Sequence, residues 1–234
     1  MWPDILLLLK ITRLHDEKGS AMKIIALNGS ARKNWNDGQM LEQFIQGIHS
    51  VDDGIEVKRV DVFDLNYKGC RGCLGCQLKT VSEIGCVVKD GAYDLLKEIR
   101  VADGLVYATP IYFMEISAQL RALFERLFYP GFGAPAPEGL TVSAIYTMNQ
   151  PQEVMEKLFR HPIDVMRRYF RELFRAEVDE VFAFQTLQWK NSELYRFSEE
   201  FYRERLSLHE QQWDKDLQNA FAAGVRLANR VMQK

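Results

Sequence analysis

Five short apolar runs, each followed by a stretch with helical spacing, constrain this chain most. Residues 23–28 (KIIALN) are apolar almost throughout and stop at Gly29, as a strand buried on both faces does. In residues 39–49, Met40, Leu41, Phe44, Ile45 and Ile48 recur at the spacing of one helix face. The alternation continues with strands at 55–63, 104–108, 140–147 and 177–184. Helices are expected at 92–100, at 117–128, at 152–174 with Pro162 starting, kinking or breaking a segment, and in two pieces across 192–232. Such a β-α repeat predicts a three-layer α/β fold on a mostly parallel sheet with right-handed crossovers.

The chain has 234 residues, enough for one domain with a full core. Its charges nearly balance, with a formal net charge of -2 and a pI near 6.1, which argues against a nucleic-acid partner. No run approaches the roughly 18 apolar residues of a membrane span, so no membrane partner is expected. The opening MWPDILLLLK is too short in its apolar part for a signal peptide, and Met22 stands directly before the first strand. Residues 1–21 are therefore expected to be an upstream extension from a misplaced start, or else a short amphipathic helix on the body. Residues 22–234 are expected to form a single domain with a cysteine loop at 67–90 and an extended helical C-terminus at 190–234. A cytoplasmic location is expected. The C-terminal aromatics Trp189, Tyr195, Phe197, Phe201, Tyr202 and Trp213 suit either a dimerisation arm or packing on the sheet.

The four cysteines, Cys70, Cys73, Cys76 and Cys86, all fall in one window, GCRGCLGCQLKTVSEIGC. Structural cysteines each fill a separate hole, whereas thiols gathered on a loop point to a metal, a cluster or redox chemistry. Four readings stand open. Two x2 steps with a remote fourth thiol suit a 4Fe–4S cluster. Packed thiols or a redox pair need no metal. Zinc favours two separated C-x-x-C pairs, and disulfides are disfavoured in a reducing compartment. Lys68, Arg71, Lys79 and Lys89 flank the thiols; they either lower thiol pKa values and help hold an anionic cluster, or form a solvated face. His15, His49, His161 and His209 stand in no metal-binding context.

After the first strand comes GSARKNWNDGQM. Gly29 lets the backbone turn, Ser30, Asn34 and Asn36 offer side-chain donors, and Arg32 offers a fork for phosphate oxygens. The next helix starts near Asp37 and Gly38, so its free N–H groups point into the same space. The segment lacks the Gly-Lys-Ser/Thr of a P-loop and the G-x-G-x-x-G of a dinucleotide fingerprint. It resembles the phosphate loop G-S-P-R-x-N-x-N-T of the flavodoxin-like NADPH-dependent FMN reductases and iron-sulfur flavoproteins: Gly29, Ser30, Arg32, Asn34 and Asn36 match, while Ala31 replaces Pro and Asp37 replaces Thr. YATPIYFMEISAQLRALFERL, residues 107–127, is similar to the family's second loop, in which Thr109, Pro110, Ile111, Tyr112 and Phe113 match positions that line the isoalloxazine ring; Pro110 is expected to stop the third strand. Tyr146, Thr147 and Asn149 stand where the third loop is expected, and Arg126 where the family carries a helix arginine, here read first as a structural ion pair with Glu125, Glu115 or elsewhere.

The resemblance covers about residues 22–148 and implies a flavodoxin-like sandwich with five parallel strands in the order 2-1-3-4-5. It implies FMN as cofactor, reduced nicotinamide or a protein as electron donor, a quinone, flavin or protein as acceptor, and a homodimer or homotetramer. A carboxylate at position 37 beside a phosphate would oppose it by about 4 kcal/mol at an effective dielectric near 20. Asp37 is therefore expected to turn away, for example as a helix cap, leaving Ser30, Asn36 and the amides of Gly38 and Gln39 to hold the phosphate. The alternatives are a non-catalytic flavin- or phosphate-binding redox sensor and a zinc-stabilised interaction module.

Overall fold

The computed structural model describes residues 22–78, 85–132 and 139–234. The expected extension at 1–21, and Lys79 with its neighbours to residue 84, lie outside the described residues. The strands are β1 (Lys23–Asn28), β2 (Glu56–Asp61), β3 (Gly104–Tyr112), β4 (Glu115–Ile116), β5 (Thr141–Thr147) and β6 (Val178–Ala183). The helices are α1 (Asn36–His49), α2 (Tyr93–Val101), α3 (Ala118–Phe128), α4 (Gln152–Val154), α5 (Arg160–Phe174) and α6 (Glu199–Met232). The sheet order is β2-β1-β3-β5-β6, all parallel, with β4 folding back antiparallel on the end of β3. Counted without β4, this is the expected 2-1-3-4-5 order.

Side-chain alternation along the strands builds two cores. Ile25, Leu27, Leu105, Tyr107, Val142, Ala144 and Tyr146 face α2, α3 and α5. Ile24, Ala26, Val106, Ala108, Ile145 and Val181 face α1 and α6. The first core is aromatic: Tyr107 stacks on Phe170 with ring centroids 5.8 Å apart and meets Phe124 edge-on at 5.0 Å, geometries that add to the area buried. The second is closed by a tight helix crossing. A Cβ at Gly47 of α1 would lie 2.1 Å from the Phe221 carbonyl oxygen, and one at Gly224 of α6 would lie 2.0 Å from that of Phe44, so only glycine lets these backbones approach so closely. This crossing, with Trp213 and Leu217 half-buried on the same core, places the C-terminal half of α6 in the packing role.

Three elements differ from the sequence expectation. The third strand runs on past Ala108 through Pro110 to Tyr112. Gly29 N–H donates to the Ala108 carbonyl, so Ala108 and, two residues on, Pro110 turn their polar groups toward β1, which has already ended at Asn28. The missing proline N–H thus removes no ladder bond, and Pro110 does not stop the strand as expected. The C-terminal stretch is one helix of 34 residues instead of two pieces, opened by Ser198, whose hydroxyl accepts from Phe201 N–H. Before α5, residues 155–159 widen into a π-helical turn. Pro162 cannot donate to the carbonyl four residues earlier, at Leu158, and the ladder loosens there.

Candidate functional site

Loops leaving the carboxyl ends of β1, β3 and β5 meet in a cleft of about 170 Å³, the usual ligand position in an open parallel sheet. It is lined by Ser30, Arg32, Trp35, Asn36 and Asp37 from the first loop, Pro110, Ile111 and Tyr112 from the second, and Thr147 and Met148 from the third. The first loop is held from behind. Ser30 N–H donates to the Asn28 side chain at 3.1 Å, and the Lys33 carbonyl accepts from Asn28 Nδ2 at 3.1 Å and Arg59 Nη2 at 3.0 Å. That pinned carbonyl lies only 1.8 Å from where a Cβ on Gly38 would stand, so glycine is required at position 38. The first intrahelical bond of α1 runs from Gln39 N–H to Trp35 C=O. The Gln39 amide is therefore spent, contrary to expectation, and the orphan amides are those that precede it.

Asp37 does not cap the helix. The N-cap position is Trp35, with no side-chain cap bond, and Asp37 sits in the first turn, 3% exposed. Thr147 Oγ1 donates to its Oδ1 at 2.9 Å, and the Ser30 hydroxyl bonds it too. Burial pushes its carboxyl up to about 7 against these bonds.

The side-chain donors Asn36 and Arg32, expected to serve a phosphate, are engaged by the protein itself. Asn36 Nδ2 and Trp35 Nε1 both donate to the Leu187 carbonyl at 2.9 Å, and Arg32 Nη1 donates to the Gln188 carbonyl. Residues 186–189 thus lie across the cradle as a strap. Thr186 N–H bonds the Met148 carbonyl at 2.9 Å, Leu187 N–H reaches His209 Nδ1 at 3.4 Å, and Trp189 packs on Phe197 and Phe201 at 4.7 and 5.6 Å between ring centroids.

Other expected residues fall around this core. Tyr112, Phe113 and Met114 form the exposed tip of the β3–β4 hairpin, with Phe113 and Met114 at φ of 49° and 72°, the mirror-image turn that tight hairpins adopt. Thr109 is fully buried and accepts from Ser117 N–H at 3.1 Å, so it fixes the hairpin. Asn34 and Gln39 are exposed and bond each other, and the Asn149 carbonyl accepts from Arg205. Tyr146 is a correction: alternation turns it to the opposite face from Thr147, where its hydroxyl meets that of Tyr107 at 2.7 Å inside the aromatic core. Sequence reasoning missed Trp35, which occupies an unspecified place inside the matched motif, and the strap, which no local pattern marks.

The second candidate region follows β2. All four cysteines line one cavity of about 300 Å³ together with Lys68, Arg71 and Arg126, and all four are free thiols. Arg126, 2% exposed, is its strut: Nη1 donates to Asp90 at 2.7 and 2.9 Å, Nη2 to the Val88 carbonyl at 3.0 Å and Nε to Cys86 Sγ at 3.4 Å. The expected ion pair is therefore made with Asp90, not Glu115 or Glu125. Glu125 instead accepts from Cys70 N–H at 3.3 Å. The Gly75 N–H, then Arg71, hold the Cys73 thiol below its usual range, and burial pushes Cys76 up. Lys89 lies over the Tyr93 ring at 6.0 Å.

Residues 22–168 match the NADPH-dependent FMN reductase family, and the chain belongs to it. An iron-sulfur flavoprotein of Methanocaldococcus jannaschii is 31% identical over 105 residues, which cover 45% of this chain and 51% of that protein. An iron-sulfur flavoprotein of Methanosarcina thermophila is 33% identical over 107 residues, 45% of this chain and 52% of that protein. The chain spans about half the length of the curated relatives it matches. Among solved structures, an NAD(P)H:quinone oxidoreductase from Methanothermobacter marburgensis superposes with a TM-score of 0.62 at 15% identity over 89% of this chain and all of the other. Azoreductase AzrA does so with a TM-score of 0.60 at 11% identity, over 87% and 99%. At these identities the superpositions establish the fold.

The hairpin tip and the three converging loops suit a flavin ring. The cradle's donors suit phosphate oxygens in place of the Leu187 and Gln188 carbonyls, which are neutral acceptors already seated where such oxygens would be met. The four thiols share one cavity with nearby cationic side chains, but among the described residues no three Cys, His, Asp or Glu side chains converge closely enough to hold a metal ion.

Proposed function

We propose that this chain is an FMN-dependent oxidoreductase that moves electrons from a reduced nicotinamide or a protein donor to a quinone, flavin or protein acceptor. One observation carries the reading: donors from the first loop, the apolar hairpin from the second and Thr147 from the third converge on one cleft at the carboxyl edge of the sheet. When bound, FMN supplies hydride and single-electron chemistry that the protein does not need to provide. Arg32, Asn36 and Ser30 would hold the phosphate; Pro110, Ile111 and Tyr112 would position the ring and keep water from one side. Phe113 and Met114, exposed at the tip, would meet the incoming co-substrate or the neighbouring subunit of a homodimer or homotetramer.

Cys70, Cys73, Cys76 and Cys86 would hold a 4Fe–4S cluster only after drawing together from their present places around the cavity, with Arg126, Lys68 and Arg71 balancing its negative charge. The cysteine segment packs along α3, through the Tyr67 hydroxyl to the Gln119 carbonyl at 2.6 Å and Cys70 N–H to Glu125. The same helix begins at the hairpin, so the two sites share one rigid element. A cytoplasmic location suits free thiols, and no helix among the described residues is long and apolar enough to cross a membrane.

The test is the visible spectrum of protein purified without oxygen, with iron, sulfide and released flavin assayed on the same sample and NAD(P)H oxidation followed after adding FMN. Flavin bands, or FMN binding with nicotinamide turnover, support the reading. Binding without turnover turns it into a sensor, zinc without iron into an interaction module, and no flavin binding under any condition ends it.

A further inference from the structure

The cradle in this chain is already filled by the protein's own acceptors. Three side-chain donors of the first loop, Arg32, Trp35 and Asn36, give their hydrogens to the Leu187 and Gln188 carbonyls. A third acceptor, the Asp37 carboxyl, is 3% exposed between Thr147 and Ser30. The cleft that remains, about 170 Å³, is below the roughly 300 Å³ at which ligand pockets usually begin. An entering phosphate must displace the strap carbonyls and then sit against a carboxyl, which two negative charges in one desolvated place forbid.

We propose that Asp37 is the specificity-determining residue of the cradle: a flavin phosphate enters only with one additional proton, shared between the Asp37 carboxyl and a phosphate oxygen, as the strap carbonyls withdraw, while a flavin without phosphate needs no such proton. This rests on the flavin reading above. The proton comes from solvent, and no covalent bond changes. Burial keeps the carboxyl protonated up to about pH 7, and a phosphate monoester gives up its second proton near pH 6. The complex therefore holds one proton that the free components shed above neutrality, and the linkage is about one proton per phosphate bound.

Other charged groups near Asp37 do not supply this proton. Arg32 of the same loop is a permanent cation engaged with Gln188. Tyr112 of the hairpin is raised further above its usual value by burial and by Asp37 itself. Tyr195, from the segment before α6, lines the outer cleft. His209 of α6, behind the strap, is held below its usual range by burial and titrates on the acid side.

The experiment measures affinity for FMN and for riboflavin by flavin fluorescence from pH 5.5 to 8.5, for the wild type, Asp37→Asn and Asp37→Thr, with circular dichroism confirming that each is folded. The expected result is that wild-type FMN affinity falls about tenfold per pH unit above 7 while riboflavin affinity stays level. Both variants should lose that slope and bind FMN more tightly than wild type at pH 8.5. A level FMN profile in the wild type, or the same slope persisting in Asp37→Asn, overturns the proposal while leaving the flavin reading intact. Absence of binding by either flavin in all three proteins overturns both.

Discussion

The two loop regions at the carboxyl edge of the sheet are opposites in charge bookkeeping. Around the thiol cavity, Arg126, Lys68 and Arg71 stand beside four sulfurs, and Asp90, the one carboxylate lining it among the described residues, is tied to Arg126. Burial disfavours the Asp90 charge, but the Arg126 and backbone N–H bonds outweigh it and hold its pKa below the usual carboxylate range. In the cleft, the reverse holds: the donors are satisfied by backbone carbonyls and a buried carboxyl occupies the centre. The first region is arranged to take on negative charge, the second to refuse it until its own acceptors move. A motif match alone does not separate these two conditions, because the same donors serve either a ligand or a neighbouring loop.

The largest expected effect comes from breaking the thiol cavity's strut. Arg126→Ala leaves the half-buried Asp90, the Lys68 and Val88 carbonyls and the Cys86 thiol without their common partner and should destabilise the fold by about 3–5 kcal/mol, read by urea denaturation, with any bound iron falling in parallel. An unchanged denaturation midpoint would separate Arg126 from the cavity's integrity.

Next comes the pH dependence of the cleft. The Asp37 pKa is raised in the folded state, from 3.8 to about 7, so the native protein binds more protons than the unfolded chain in that window. Stability therefore falls as pH rises from about 4 to about 7 and stays reduced above it, on the order of 4 kcal/mol at most. Asp37→Asn should remove that loss, giving a higher melting temperature than wild type at pH 8 and a matching one near pH 4. A lower melting temperature at pH 8 would break the contrast between the regions.

Gly38→Ala drives a methyl into the Lys33 carbonyl and should cost about 1–3 kcal/mol and, where flavin binds, weaken its affinity; Gly54→Ala, near only the Asp52 side chain, is the control. Cys73→Ser should leave stability within about 0.5 kcal/mol, since the side chain is exposed, yet lower iron content if the cavity holds a cluster. Equal iron in mutant and wild type would remove Cys73 from any ligand set. The smallest effect is expected at Phe113→Asn, where an exposed residue at positive φ is replaced by one that tolerates it. Stability should be level or slightly raised, checked by thermal melting.

Much of this was legible in the chain because it depends on local repetition. The strand runs of β1, β3 and β5 are apolar for as long as both faces are covered, and Met40, Leu41, Phe44 and Ile48 mark the buried side of α1 before any partner is known. The clustering of Cys70, Cys73, Cys76 and Cys86 in one loop was equally plain, as were Ser30, Arg32 and Asn36 at the end of the first strand. Less legible was Pro110, read as a stop. Whether a proline ends a strand depends on whether the neighbour on its N–H side is still present, and β1 belongs to a segment about 80 residues earlier.

By itself, then, the sequence determined the layer architecture, the strand order expected of its family and the residue types gathered at each loop, since periodicity and short spacing are properties of neighbours along the chain. Only the tertiary structure decided that Asp37 faces Thr147, that Tyr146 turns into the opposite core, that Arg126 ties Asp90 to Cys86, and that Leu187 and Gln188 sit on the donors of the first loop. Those contacts join residues 36 to 156 positions apart. Their outcome is set by side-chain alternation, by which groups lose water together, and by which donors have no other acceptor within reach, and none of these is written in a local pattern.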